Sequence, residues 1–308
     1  MQPPKPFRSH EAQLELLISR GMHVDDTDAA IATLRRVSYY RLSGYWFPLR
    51  VFDRASGRSL DRFQEGSTFE TVVNLYDFDS RLRTAVFDEL STVELTVRAY
   101  LGHELGGIDP LIHLSSTKLG PFARQIPNGK KDTRHDIWLD KYRSTIRRSR
   151  EDFVAHHRNR YGGDLPVWAA VEVLDWGGLS HLYSMSPRAV QNRISDRVNL
   201  TSPQFGSWLK SLNIVRNYCA HHSRMFNRVY DIKPKINDDH RLRPVRRAGN
   251  RAFGQLTLIQ YLHHEYGLSD GTRIPLVLGS FPHNELVPFT RTGAPEDWRD
   301  LPLWRIPV

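Results

Sequence analysis

Arg216, Asn217, His221 and His222 lie within two helical turns of one another in the segment SLNIVRNYCAHHSRMFNR, Ser211 to Arg228. On a helix, Asn217 and His221 are four residues apart and share a face. Arg216 lies on the neighbouring face, with a side chain long enough to curl toward the same point, while Ile214, Tyr218 and Met225 form an apolar stripe to bury the opposite side. An imidazole, an amide and a guanidinium held together suit phosphodiester chemistry on RNA. A histidine that titrates near neutrality can take the proton of a ribose 2′-OH or protonate the leaving 5′-oxygen. An arginine stays charged and can stabilise a phosphorane-like transition state through two parallel hydrogen bonds. Such chemistry needs no metal, and the sequence offers no compact carboxylate cluster to hold one. No cofactor is expected.

Spacing alone does not single this site out. The chain has 35 arginines and 14 histidines, so an Arg followed five positions later by a His arises by chance, and Arg98 with His103 is a second case. The plainer reading of either pair is a solvated helix face. Glu94 and Arg98, at i and i+4, most simply form an ion pair. His222 points about a hundred degrees away from His221 on a helix and reads as a supporting residue. The adjacent pairs His156–His157 and His263–His264 have no carboxylate or cysteine at ligand spacing, which makes structural or surface roles the expectation. Cys219, the only cysteine, reads as a small core residue. Ser43 and Ser180 have neither a nucleophile elbow nor a partner base in their sequence context.

Two basic clusters are lopsided enough to suggest phosphate contact rather than solvation. Lys141, Arg143, Arg147, Arg148, Arg150, Arg158 and Arg160 crowd one helical stretch. Arg224 and Arg228, then Lys233, Lys235, Arg241, Arg243, Arg246, Arg247 and Arg251, follow the His221 segment, where an RNA strand would have to run. The net charge of +9 agrees with a polyanionic partner.

The 308 residues can bury a sizeable core. With 40% hydrophobic and 25% charged residues the composition is that of an ordinary globular protein. There is no apolar run of membrane-spanning length, no secretory signal and no disulfide framework, so a cytoplasmic protein without membrane contact is expected.

Apolar periodicity predicts helices over most of the chain: Glu11–Arg20, a second one capped by Thr27, one very long helix or two in sequence from Phe69 to about Leu105, and a basic helix over Arg134–Tyr161. Another opens at Pro166 and breaks at Gly177–Gly178. Further helices are expected at Pro187–Arg197, Pro203 to about Met225, and Ala252–Tyr266. Ser38–Pro48 reads as an aromatic-rich packed turn, and Gly106–Asp132 as a loop. The proline-rich remainder is expected to be irregular, with one short strand at Ile274–Leu278. There is no βαβ alternation. An all-α fold follows, divided as an N-terminal helical extension (1–66), a helical domain (67–266) and a C-terminal tail of unassigned role (267–308).

The segment RNYCAHHSRMFNR resembles the signature of Abi-like abortive-infection proteins, the AbiD/AbiF group, within the HEPN superfamily of helical ribonucleases. The likeness extends through YYRLSGY at Tyr39–Tyr45, TFETVVNLYDFDSRLR at Thr68–Arg83, VELTVRAYL at Val93–Leu101 and LPVWAAVEVLDWGGLSHLY at Leu165–Tyr183. These blocks span about Phe7 to Tyr230. The superfamily motif, an Arg, a polar residue, three variable positions and a His, matches Arg216, Asn217 and His221 position by position. In the upstream block the family-like residues are Glu94 and Arg98, with His103 outside it.

The resemblance implies a HEPN-type helical bundle. It also implies endoribonuclease activity, phage defence or toxin–antitoxin biology with a noncoding RNA or protein antitoxin, and a site completed by two facing motifs. A homodimer pairing two copies of Arg216/His221 is favoured over a single-chain site that adds His103. Two rivals stand beside this expectation: a non-catalytic RNA-binding module and a DNA-binding regulator.

Overall fold

The computed structural model describes residues 5–305. Residues 1–4 and 306–308, which the two terminal segments of the expected division include, lie outside the described residues. Among the described residues the fold is all-α apart from one two-stranded hairpin.

One helix organises the molecule. α4 (Phe69–Gly106) runs unbroken for 38 residues, about 57 Å at 1.5 Å per residue. Thr68 caps it by accepting a hydrogen bond from the Thr71 N–H. No proline interrupts it, and Val72, Leu75, Phe78, Leu82, Val86, Leu90, Val93, Val97, Leu101 and Leu105 keep the three- and four-residue spacing that buries one side along its whole length. Near its C-terminal end, Gly102 and Gly106 allow Trp168 to press onto the helix. A Cβ at Gly106 would stand 2.7 Å from the Trp168 ring.

Against α4 pack α3 (Tyr39–Trp46), α7 (Val167–Ala170), α8 (Trp176–Met185), α9 (Arg188–Asp196), α10 (Ser202–Ala220), α11 (Ala252–Tyr266) and α12 (Arg273–Gly279). α1 (His10–Ser19) packs on α2 (Thr27–Val37), α2 on α3, and α5 (Arg134–Arg148), which α6 (Asp152–Arg160) follows, on α8. The hairpin pairs β1 (Arg50–Asp53) with β2 (Arg58–Phe63) antiparallel. Its turn is built by the Asp53 carboxylate, which accepts from the Ala55 and Ser56 N–H groups, and by Gly57 at φ +65°.

Several local expectations are corrected. Ser38–Pro48 holds a helix, α3, rather than a turn, because Leu42, Tyr45 and Trp46 form a buried helical face. The cap of α2 is Asp26, whose side chain accepts from the Ala29 N–H, and not Thr27. The basic stretch breaks at Ser149–Glu151, where extended backbone separates α5 from α6. Gly177 and Gly178 begin a helix instead of ending one: Asp175 caps α8 by accepting from the Gly178 N–H at 2.6 Å. Ile274–Leu278 lies in α12, helical where a strand was expected. The flanking C-terminal segment is otherwise irregular, as expected, but it is packed. Phe281 meets Phe78 of α4 and Phe226, and Trp304 stacks on Phe253 of α11.

Candidate functional site

α10 is held by a buried face of Phe205, Trp208, Leu209, Leu212, Val215 and Cys219. Ile214 and Tyr218, expected on that face, are only half-buried, and Met225 is buried beyond the helix. The helix also ends earlier than its periodicity suggested. The His221 N–H still donates to the Asn217 carbonyl at 2.9 Å, but His222 turns to φ +53°. The His222 N–H then bonds Cys219 O (3.1 Å) and the Ser223 N–H bonds Tyr218 O (2.8 Å). This is a Schellman stop with a histidine where glycine is usual. The Arg41 guanidinium donates to the His222 carbonyl and fixes the turn from outside.

Beyond the turn, the chain is anchored by a residue that sequence reasoning missed. Asp79 of α4 is fully buried and accepts from the backbone N–H groups of Met225 and Phe226, from the Tyr45 hydroxyl and from Arg83. Burial pushes its carboxyl upward, against the pull of Arg83 and the other donors. Arg224, expected to touch RNA, is instead half-buried and donates to the Gly44 carbonyl at 2.8 Å, clamping the turn to α3. The signal for Asp79 was in the sequence: a carboxylate between Leu75, Phe78 and Leu82 on an apolar stripe, with an arginine four residues on.

Against this anchor, Arg216 lies over α4. Its guanidinium carbon is 5.3 Å from the Phe87 ring centroid and its Nε is 3.8 Å from Glu94 Oε2. Glu94 bridges it to Arg98, whose Nη2 is 2.8 Å from Oε1 and whose Nη1 donates to the Val171 carbonyl. The structure therefore brings Arg216, Glu94 and Arg98 together, with the Arg98 side chain only 9% exposed and that of Arg216 33% exposed. Asp175, at the start of α8, is a further neighbour that was not anticipated. Partial burial would raise its carboxyl, yet Lys141 at 2.7 Å, the Gly178 N–H and the Arg216 charge hold it below the usual carboxylate range.

Asn217, His221 and His222 are exposed, and no side-chain hydrogen bond engages the two imidazoles or the amide among the described residues. His103 is not brought to them. Asp79 meeting Met225 and Glu94 meeting Arg216 make α4 and α10 antiparallel. His103 lies nine residues beyond Glu94 in one direction and His221 five residues beyond Arg216 in the other, an axial separation of about 20 Å. His103 instead lines a cavity of about 340 Å³ beside Gly102, Trp168 and Glu172.

The remaining candidates divide. Lys233, Lys235, Arg243, Arg247, Arg147 and Arg148 are exposed. Arg246 pairs with Asp238, and Arg228 stacks 4.0 Å over Tyr218 while donating to its hydroxyl. Cys219 is buried with its thiol pushed up to about 12 by desolvation, which fits a core residue. His263 is buried between Glu89 and Ser269, a structural position. Among the described residues no three His, Cys, Asp or Glu side chains cluster as metal ligands, and no helix is long and apolar enough to cross a membrane.

No curated protein and no solved structure matches the chain. A family model does match, over residues 32–227, and it is that of the Abi-like proteins.

Proposed function

The chain belongs to the Abi-like protein family, whose name associates it with abortive infection and antiviral defence, and from that premise we propose that it is an endoribonuclease of the HEPN type. One observation carries the reading. Arg216 is pinned on Phe87 and Glu94 at the end of α10, while Asn217 and His221 stand exposed on the same last turns with no other engagement. A guanidinium and an imidazole with no other partner, carried on the last turns of one helix, are the groups that phosphoryl transfer from a ribose hydroxyl requires.

In the proposed reaction the 2′-oxygen loses its proton to an imidazole and attacks phosphorus. The P–O5′ bond breaks, and the departing oxygen receives a proton. The products are a 2′,3′-cyclic phosphate and a 5′-OH. Arg216 stabilises charge on the non-bridging oxygens. Attacking and leaving oxygens lie on opposite sides of phosphorus, so one imidazole does not serve both. With His103 about 20 Å away along α4, a second copy of the chain is the natural source of the second His221, and the active form is a homodimer. Its biological setting would be cytoplasmic, as a phage-triggered defence or as a toxin restrained by an RNA or protein antitoxin.

The test is cleavage of a labelled RNA in excess EDTA. Persisting cleavage that leaves cyclic phosphate ends, lost in a folded His221→Ala protein, is the expected result. Cleavage stopped by the chelator and restored by Mg²⁺ or Mn²⁺ would refute the acid–base mechanism. RNA binding without cleavage would leave a binding module, and preference for duplex DNA a regulator.

A further inference from the structure

A cleft of about 580 Å³ opens at the other end of α10, between that helix, the turn joining α8 to α9, the segment around Gly120 and the chain near Lys235. Arg188, Lys210 and Lys235 line it, and no aspartate or glutamate does. Several cations nearby are paired: Lys141 with Asp175, Arg193 and Arg197 with Glu104, and Arg246 with Asp238. The three in the cleft are not, among the described residues. They are nonetheless held in place. Arg188 donates to Ser202 Oγ at 2.6 Å and to Gln191 Oε1 at 3.4 Å. The backbone of Lys235 is tied to α10 twice, its N–H donating to Ser207 Oγ at 3.0 Å and its carbonyl accepting from Trp208 Nε1 at 2.8 Å.

The cleft shares α10 with the site at the far end of the helix, Lys210, Asn217 and His221 falling on one face of it. His181, exposed on α8, is held below its ordinary value by partial burial and then by Lys210, Arg134 and Lys141. Lys141 in turn pairs with Asp175, which feels the charge of Arg216. Lys210 therefore stands on α10 between Arg216 near the helix's end and Arg188, which bonds Ser202 at its start. Along the helix axis, Lys210 lies about 16 Å and Ser202 about 28 Å from His221. A stacked single strand rising about 3.4 Å per nucleotide covers that distance in roughly five to eight nucleotides.

We propose that this cleft is a backbone subsite, in which Arg188, Lys210 and Lys235 hold phosphates of the same RNA strand whose scissile bond lies at His221. The assignment rests on the reading of the chain as a ribonuclease. It makes the enzyme's affinity depend on RNA length, because a short oligonucleotide reaches one site and a longer one reaches both. An acidic peptide shares the charge but not the regular spacing of a strand.

The experiment compares single-stranded RNA of 4 and 12 nucleotides, bound by the His221→Ala protein with and without Arg188→Gln, Lys210→Gln and Lys235→Gln. The 12-mer should bind the parent more tightly than the 4-mer, and the triple variant should lose at least tenfold in 12-mer affinity. The slope of log affinity against log salt should fall by about 0.7 for each phosphate that the variant no longer neutralises. With His221 restored, cleavage of the 4-mer should be unchanged by Arg188→Gln together with Lys210→Gln. Lys210→Gln alone, at an exposed position, gives the same direction if the triple variant melts early. Equal 12-mer affinity and slope in a protein that still cleaves RNA would overturn the subsite while leaving the ribonuclease reading intact. A chain that neither binds nor cuts RNA would remove both. ATP bound in the cleft more tightly than the 12-mer, or an Asp/Glu-rich peptide doing the same, would overturn the assignment to RNA.

Discussion

Two Arg–His pairs of identical spacing sit on antiparallel helices, each with an exposed histidine at a helix end, and it is the burial of the arginine that sets them apart. Arg98 is buried in α4 between Glu94 and the Val171 carbonyl, while His103, exposed in the last turn of that helix, borders a cavity over Gly102 and Trp168. Arg216 and His221 lie where α10 stops. The arginine keeps a third of its side chain exposed, and the histidine, at the C-cap, is open to solvent. The difference teaches that the same spacing can leave one arginine committed to the core and the other partly open to solvent. Arg98 holds the helix packing and the carboxylate that positions Arg216. Immediately behind His221, Asp79 fixes the turn, so the exposed groups project from a rigid base.

The sharpest break of this comparison is functional. His221→Ala or Arg216→Ala should lower RNA cleavage by about 10²- to 10⁴-fold, the range for losing a general acid or base or an anion-stabilising donor. His103→Ala should keep most activity. Melting curves recorded alongside must be unchanged, and a folded, dimeric His103→Ala protein devoid of cleavage would sink the two-copy site.

Next in size come the anchors. Asp79→Ala strands Arg83, the Tyr45 hydroxyl and two backbone N–H groups in the core, and should cost about 3–5 kcal/mol by denaturant unfolding. Arg98→Ala should cost about 1–3 kcal/mol, since it frees Glu94 and the Val171 carbonyl. It should also reduce cleavage less than Arg216→Ala does. An Arg98→Ala protein of full stability but no activity would reverse the roles assigned to the two arginines.

A smaller effect separates His222 from His221. His222 occupies a left-handed position that glycine fills without steric cost, so His222→Gly should stabilise the fold by up to about 1 kcal/mol. Loss of cleavage in that variant as large as in His221→Ala would make His222 a partner in the chemistry.

The smallest effect belongs to the His103 end. Burial alone would raise the Glu104 carboxyl, but Arg193 and Arg197 of α9 hold it below its ordinary value of 4.5. A depressed carboxyl contributes stability above pH 4.5 that is lost as pH falls through the lower folded value. Being partly exposed, the contribution is about 0.5 kcal/mol. Glu104→Gln should flatten the stability profile in that window and leave cleavage at neutral pH untouched, and a profile identical to that of the unmodified chain would show the pairing to be idle.

Local pattern was enough for much of the molecule. The apolar spacing from Val72 to Leu105 dictates a long helix wherever it packs, because no other backbone puts those side chains on one side. Arg216, Asn217 and His221 were legible too, as residue types able to move protons and bind phosphate, and the resemblance of their segment to Abi-like proteins agrees with the family match. What the sequence could not decide was long-range. That α10 stops at His221 depends on Arg41, some 180 residues away, and on Asp79 gripping the following turn. That Arg224 clamps the turn to α3 depends on Gly44 lying beneath it. That Glu94 joins Arg98 to Arg216 depends on α4 and α10 running antiparallel, and that Arg188, Lys210 and Lys235 meet in one cleft depends on Arg188 and the Lys235 backbone bonding to α10. Helical periodicity reports which side of a segment is buried. Its partner across the core is chosen by packing, and that choice assembled the site.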